Sequence, residues 1–367
     1  MKKILTLALY LAAGSAFAQT KFAVIKNNPA TPVKSQGNSG TCWCFSSTAL
    51  IESELLFKKQ PESDISEVFT VYNLYVDKAE NFVRRRGNAR FTEGGIQQDM
   101  IYSTDRYGAV PQEIYPGVGR DTVLNRDGEM EGKLKGYIDD LLKKYRDTIP
   151  LNWQAGYKKI LDSYLGAPPE KFTFQGKEYT PKTYATEKVG TKLSDYIGLT
   201  SFTHHPYNTS FAMEVPDNYN SHVYYNVPLD EFISTVKAAI NKGYTLAWDA
   251  DVSNNGFQQN KGYAKWTQSK ADAQAFDSFT EQKPTAAIRQ QLFDKQQTTD
   301  DHLMQITGLA KDEKGNEYFI VKNSWGKNAG PHGGYIYVSV PYFAINTISV
   351  VVNKKALAST QMSKLAE

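Results

Sequence analysis

Cys42 and Cys44 are the only cysteines in this 367-residue chain, and they stand two positions apart. The N-terminus, MKKILTLALYLAAGSAFAQT, reads as an export signal. Lys2 and Lys3 form a positive head, Ile4 to Gly14 a short apolar run, and Ala16-Phe17-Ala18 a small-x-small cleavage site. Exported proteins often rely on disulfides, yet no disulfide framework can form here. On one helix, side chains two positions apart point about 200° away from each other, which forbids a bond between these two thiols. The fold must therefore be held by its apolar core. A thiol kept unpaired in an oxidising compartment needs a chemical reason.

The core is available, because 41% of residues are hydrophobic and 13% aromatic. That suits one broad or two closely packed domains. Residues 1–18 are expected to be removed, leaving a secreted or periplasmic chain that starts at Gln19. No later apolar run is long enough to span a bilayer. Losing Lys2 and Lys3 takes the formal net charge from +3 to +1, so nothing electrostatic suggests nucleic acid. Arg84-Arg85-Arg86, the one basic cluster, reads as a solvated helix end.

Helical signals come first along the chain. Residues 42–57 (CWCFSSTALIESELLF) are apolar nearly all round at the start, as a buried helix would be. Ser66 caps a second helix, with Phe69, Tyr72, Ala79 and Phe82 at helical spacing. A third runs from about Gly95 to Tyr107 and stops at Gly108. Two more, about 132–146 and 153–165, fall in a lysine- and tyrosine-rich stretch that shows no chemistry. A helix over about 229–242 leads to a strand, Tyr244 to Ala250. Residues 253–300 are polar, Gln-rich and irregular. From Asp301 the chain reads as antiparallel strands: HLMQITGLA, EYFIVKN, GYIYVSV and NTISVVV. Helices first and strands later give an α+β class in two lobes.

Chemistry concentrates at Gln36-Gly-Asn-Ser-Gly-Thr-Cys42-Trp43-Cys44. A Gly/Ser-rich loop delivers Cys42 to the start of a buried helix, where free amides and the helix dipole favour an anion. A thiolate is the nucleophilic form of cysteine, so this placement favours making it. Of the five histidines, only His302 opens an apolar strand. Asn323 ends the next strand, in VKNSWG, and a hairpin sets the two strands side by side. An amide there can bond one imidazole nitrogen and leave the other for Cys42, the logic of a nucleophile, a base and an orienting group. Trp325 could roof that bond or simply fill core. No HExxH and no cysteine cluster is present, so no metal or cofactor is implied.

These segments resemble those of papain-like cysteine peptidases. QGNSGTCWCF is similar to the active-site signature, and DHLMQITGLA and VKNSWG to the histidine and asparagine segments. The resemblance implies a two-lobed α+β fold. A helical lobe would carry the nucleophile helix, facing an antiparallel, barrel-like β lobe. It makes Cys42 the nucleophile, His302 the base and then the acid, and Asn323 the orienting group. Gln36, with the Cys42 N–H, would donate to the oxyanion. Thr92-Glu-Gly-Gly95 matches the segment whose backbone pairs with extended substrate, although Gly94 and Gly95 also suit an ordinary helix-entry turn.

Three departures narrow the resemblance to the bleomycin hydrolase and aminopeptidase C branch. Ser39 replaces a disulfide-forming cysteine. Residues 19–35 leave no room for a long propeptide. His302 lies 260 residues beyond Cys42, against about 130–150 in papain-type enzymes. The extra length fits insertions at about 118–200 and 253–295. One peptidase domain is expected over 19–367, with a helical lobe at about 36–117, a helical insertion at about 118–200, a β lobe at about 223–357 and a tail at 358–367. In that branch the C-terminal segment lies in the cleft and meets the substrate's free amine, and subunits often form rings. A secreted cysteine peptidase acting on peptides, an aminopeptidase above all, is the function implied. An endopeptidase, a catalytically silent peptide-binding homologue and another Cys-His-Asn acyl transferase are the alternatives.

Overall fold

The computed structural model describes residues 20–117 and 128–359. The expected signal peptide, the start of the insertion and most of the tail lie outside the described residues. Helix α1 (Cys42–Phe57) is buried along nearly its whole length, as its all-round apolar start predicts. Helix α2 (Glu67–Arg84) begins where Ser66 Oγ accepts the N–H of Phe69 at 3.2 Å. Helix α3 (Gln97–Tyr107) ends at Gly108, whose φ of 95° favours glycine. Helices α4 (Glu129–Lys144) and α5 (Trp153–Leu165) form the first part of the insertion.

An eleven-stranded sheet among the described residues carries the second lobe. Its centre runs β4 (Tyr196–Thr200), β13 (Thr347–Asn353), β7 (Leu246–Ala250), β10 (His302–Asp312), β11 (Glu317–Lys322), β12 (Tyr335–Ser339). β1 (Phe22–Asn27) also joins β10, so the N-terminal segment is stitched to the strand that carries His302. Side chains alternate across these strands. Ala247, Leu303 and Val351 face the helical lobe, in one apolar cluster with Cys42, Trp43 and Leu50. Trp248, Met304 and Val350 face a second cluster, closed by the helix Leu229–Asn241 and by Tyr342, Phe343 and Ile345.

The structure departs from the sequence reading in three places. The sheet is not purely antiparallel, because β4 pairs in parallel with Val223–Asn226, and β12 with Tyr263–Ala264. Tyr196–Thr200 belongs to this sheet, so the expected helical insertion gives way to strand before residue 200. Residues 253–300 are also not irregular throughout, since Ala286–Asp294 is a helix. Its most deeply buried residues are Arg289 and Gln290, and its apolar residues Ile288, Leu292 and Phe293 are only half-buried against the core, so the apolar signal is weak. Arg289 is buried and donates to the carbonyls of Ser201 (2.6 Å) and Ala344 (3.0 Å), with Phe202 beneath its guanidinium.

Candidate active site

Helix α1 and strand β10 are clamped together by side chains from both. Ser46 Oγ donates to the Met304 carbonyl at 2.6 Å, and Gln305 Nε2 donates to the Ala49 carbonyl at 2.9 Å. This fixes the first turn of α1 against the start of β10. The Cys42 thiol consequently lies against the backbone N–H of Leu303, the residue after His302. His302 Nε2 donates to Asn323 Oδ1 at 2.8 Å. The orientation of the Asn323 amide is set on both sides. Its Oδ1 also accepts the Ser324 N–H at 2.7 Å, and its Nδ2 donates to Gln259 Oε1 at 3.0 Å. With Nε2 carrying the proton, Nδ1 of His302 keeps its lone pair. Trp325 stacks on the His302 ring, with centroids 4.8 Å apart and planes 25° apart, so it roofs the imidazole as well as packing.

Gln36 reaches the same place from the incoming loop. Its N–H donates to the Ser324 carbonyl at 2.8 Å, and Gly326 N–H donates to the Lys34 carbonyl at 3.1 Å. The loop before Cys42 therefore runs as a short ribbon beside the segment after Asn323. Gln36 Oε1 accepts from Ser324 Oγ at 2.5 Å, and Nε2 donates to the Ser39 carbonyl at 2.7 Å. An amide nitrogen has two hydrogens, so one donor of Gln36 stays available. The N–H of Cys42 belongs to the first helical turn, which intrahelical bonding leaves unpaired. Upstream, Lys34 is held by Glu52 (3.0 Å) and Glu67 (2.7 Å), and Thr31 Oγ1 donates to Glu52 at 2.6 Å. These carboxylates outweigh burial and keep Lys34 an ammonium.

Burial dominates the electrostatics. It pushes the Cys42 thiol up to about 12, against the lowering effect of the Leu303 and Trp43 N–H groups. It pulls His302 down to about 4, against the bond to Asn323 and the charge of Asp301. The helix start does lower the thiol, as its sequence position suggests, but burial exceeds it. Neither group takes on a lone charge readily. Moving the thiol proton to His302 creates both charges together and leaves the net charge of the pair unchanged.

Gly94 and Gly95 lie beside Trp43, whose Nε1 donates to the Glu93 carbonyl at 3.0 Å. A Cβ on Gly94 would collide with the Asp217 carboxylate, and one on Gly95 would come within 3.1 Å of Trp43. A side chain at Gly94 would need Asp217 to move, and one at Gly95 would need Trp43 or Asp99 to give by a few tenths of an ångström. Lys78 Nζ holds the carbonyls of Thr92 and Gly94 from below.

Three of the other four histidines are tied to carboxylates, and the fourth, His332, lies in a ring cluster with Phe22 and Tyr337. His222 meets Asp99 at 3.1 Å. His204 and His205 both turn Nε2 to Glu214, at 3.2 and 2.6 Å. Among the described residues, these three form the group whose donor atoms could hold a metal ion. It shares no residue with the Cys42 site. Sequence reasoning did not single out Ser324 and Gln259, which fix the two amides of the site. Ser324 adjoins Asn323 and could have been suspected, whereas Gln259 sits in the polar stretch and gives no local sign.

The two thiols should react differently. Cys44 is fully buried, and its Sγ donates to the Glu67 carbonyl at 3.6 Å. Cys42 is 7% exposed. Iodoacetamide on the native protein should modify Cys42 alone, and Cys44 only after unfolding. Peptide mapping that found Cys44 modified first would overturn the assignment of the nucleophile.

Known proteins resemble this chain along most of its length. Residues 88–367 match the family described as "Peptidase C1-like family", and residues 19–73 match "Papain family cysteine protease". Aminopeptidase C of Lactococcus lactis subsp. cremoris is 26% identical over 375 residues, covering 90% of this chain and 83% of that protein. Bleomycin hydrolase of Mus musculus is 22% identical over 406 residues, covering 95% and 86%. Among solved structures, PepW from Lactobacillus rhamnosis shares the fold at a TM-score of 0.74 and 21% identity. That match covers 94% of this chain and 84% of the other.

Proposed function

This chain belongs to the peptidase C1-like family, is a cysteine-type peptidase of papain-like α+β fold, and we propose from that premise that it is an exported aminopeptidase. The observation that carries the chemistry is the bonded run from His302 through Asn323 and Ser324 to Gln36, with the Cys42 thiol beside Leu303. The aminopeptidase reading is supported by relatives named aminopeptidase C along most of the chain. Export is supported by the sequence of residues 1–18 alone, and a mature chain beginning at Gln19 is its expected mark.

In this reading the substrate carbonyl sits between the Cys42 Sγ and the donors of Gln36 Nε2 and Cys42 N–H. The thiol passes its proton to His302 Nδ1 as Sγ attacks the carbonyl carbon. The oxyanion that forms is stabilised by the two donors. His302 returns the proton to the departing amine and a thioester remains. Water, deprotonated by His302, then attacks the thioester and releases the acid and the thiol. Asn323 holds the Nε2 proton and Trp325 the ring plane, so that Nδ1 is the nitrogen that gains and loses the proton.

One peptide prepared with a free and with an acetylated N-terminus tests the exopeptidase reading. The free form should be cleaved at least about 100-fold faster, one residue at a time, as expected when a buried charge contact is lost. Internal cleavage of the acetylated form at a similar rate would make the chain an endopeptidase.

A further inference from the structure

Asp249 is fully buried, and no N–H or O–H of the described residues donates to either of its carboxylate oxygens. Oδ2 of Asp300 is buried and unpartnered in the same way. The two carboxyl groups are close enough to share a proton, and burial raises both of their pKa values. Buried charge without a counter-charge is costly. Where such a pair adjoins a nucleophile, a ligand that supplies the missing charge is the natural explanation.

The sheet places the pair at the thiol. Asp249 is the cross-strand partner of Leu303 on β10 and of Ser349 on β13, so the three side chains share one face. That face meets the helical lobe. Ser349 Oγ accepts from Gln97 Nε2 at 3.1 Å, and Leu303 clusters with Cys42 and Trp43. Asp300 lies two residues before His302, and both carboxyls act electrostatically on Cys42. Asp217, against Gly94, acts on both in turn. Of the nearby cations, Arg90 acts on Asp300 only at a distance, and neither it nor Lys78 bonds to the pair. Arg90 pairs with Asp217 at 2.9 Å, and Lys78 holds backbone carbonyls.

We propose that Asp249 and Asp300 are the seat for a substrate ammonium group beside Cys42. The inference rests on the aminopeptidase reading and places amine selection on the chain's own sheet, not in its tail. Two substrate groups carry that chemistry: the free α-amine, and a lysine side chain near the cleaved bond. Binding either one replaces the shared proton with a fixed counter-charge.

The test uses two matched pairs of fluorogenic amides on the full chain. One pair is leucyl amide against N-acetyl-leucyl amide. The other is N-acetyl-lysyl-alanyl amide against N-acetyl-norleucyl-alanyl amide. Asp249→Asn and Asp300→Asn should each cut the kcat/KM ratio of ammonium to neutral substrate about 100-fold in at least one pair, mainly through KM. The pair whose ratio collapses identifies the group bound. Both ratios unchanged in both variants would overturn the proposal, even if every substrate slowed equally, because that is the mark of a structural pair. Loss of the ratios on deleting residues 358–367, with both Asn variants at wild-type values, would also overturn it and give the role to the tail. Wild-type protein that cut both leucyl substrates equally would refute the aminopeptidase reading, and the lysyl pair alone would then decide for or against the carboxyl seat. Asparagine relieves the repulsion at near-equal volume, so Tm should hold or rise. If one variant failed to fold, the other would read the same ratios.

Discussion

Replacing His302 with alanine is expected to lower kcat/KM by at least about 10⁴-fold, and Cys42→Ala should leave no measurable turnover. The two losses have different causes. Without Cys42 there is no sulfur to carry the acyl group. Without His302 the sulfur remains, but its proton has nowhere to go. Burial pushes that thiol up to about 12, so forming the thiolate at neutral pH depends on a group that takes its proton. The electrostatics of the site thus make the imidazole indispensable for forming the nucleophile, beyond its later service to the leaving amine. Initial rates on a free-amine aminoacyl amide check both variants. Near-normal activity in His302→Ala would move the base elsewhere. His204, His205 and His222, each already tied to a carboxylate, would then need separate replacement.

Gln36→Ala should lower kcat by about 10²–10³-fold with little change in KM, the usual loss for one oxyanion donor. Its amide is held from both ends, by Ser324 Oγ on the oxygen and by the Ser39 carbonyl on the nitrogen. Ser324→Ala should therefore reproduce part of the loss, because an amide free to rotate offers its donor only some of the time. Asn323→Ala should fall between Ser324→Ala and His302→Ala, since it frees the imidazole ring but leaves its proton chemistry intact. An effect of Gln36→Ala on KM alone would assign it to ground-state binding instead.

The elements that carry these residues were legible because each announces itself locally. Helix α1 follows a Gly/Ser-rich loop and is apolar all round. β10 and β11 are apolar runs joined by a Lys-Asp-Glu-Lys-Gly-Asn turn. Cys42, His302 and Asn323 could be named because few residue types perform this chemistry and each sits at an element boundary, whereas Gln36, in the loop before α1, was named through the resemblance to papain-like peptidases. What stayed hidden depends on tertiary register. Asp249 lies in a strand buried on both faces, so nothing local says which lobe its side chain meets. Only the pairing of Asp249 with Leu303 and Ser349 decides that. Gln259 is one of many glutamines in a polar stretch, and its tie to Asn323 spans 64 positions. The helix Ala286–Asp294 hides because its most deeply buried residues, Arg289 and Gln290, are polar, and Arg289 is satisfied by carbonyls far away in the sequence, those of Ser201 and Ala344.

A covalent intermediate on Cys42 is the centre of this account, and trapping it is the most direct measurement. An activated aminoacyl ester acylates a cysteine peptidase faster than water removes the acyl group. Protein quenched in acid during turnover should therefore carry one acyl group by intact mass, and digestion should place it on the peptide that contains Cys42 and Cys44. Fragmentation is predicted to assign it to Cys42, and the adduct should be absent in Cys42→Ala but present in Cys44→Ala. Steady turnover in Cys42→Ala, or an adduct that follows Cys44, would contradict the account.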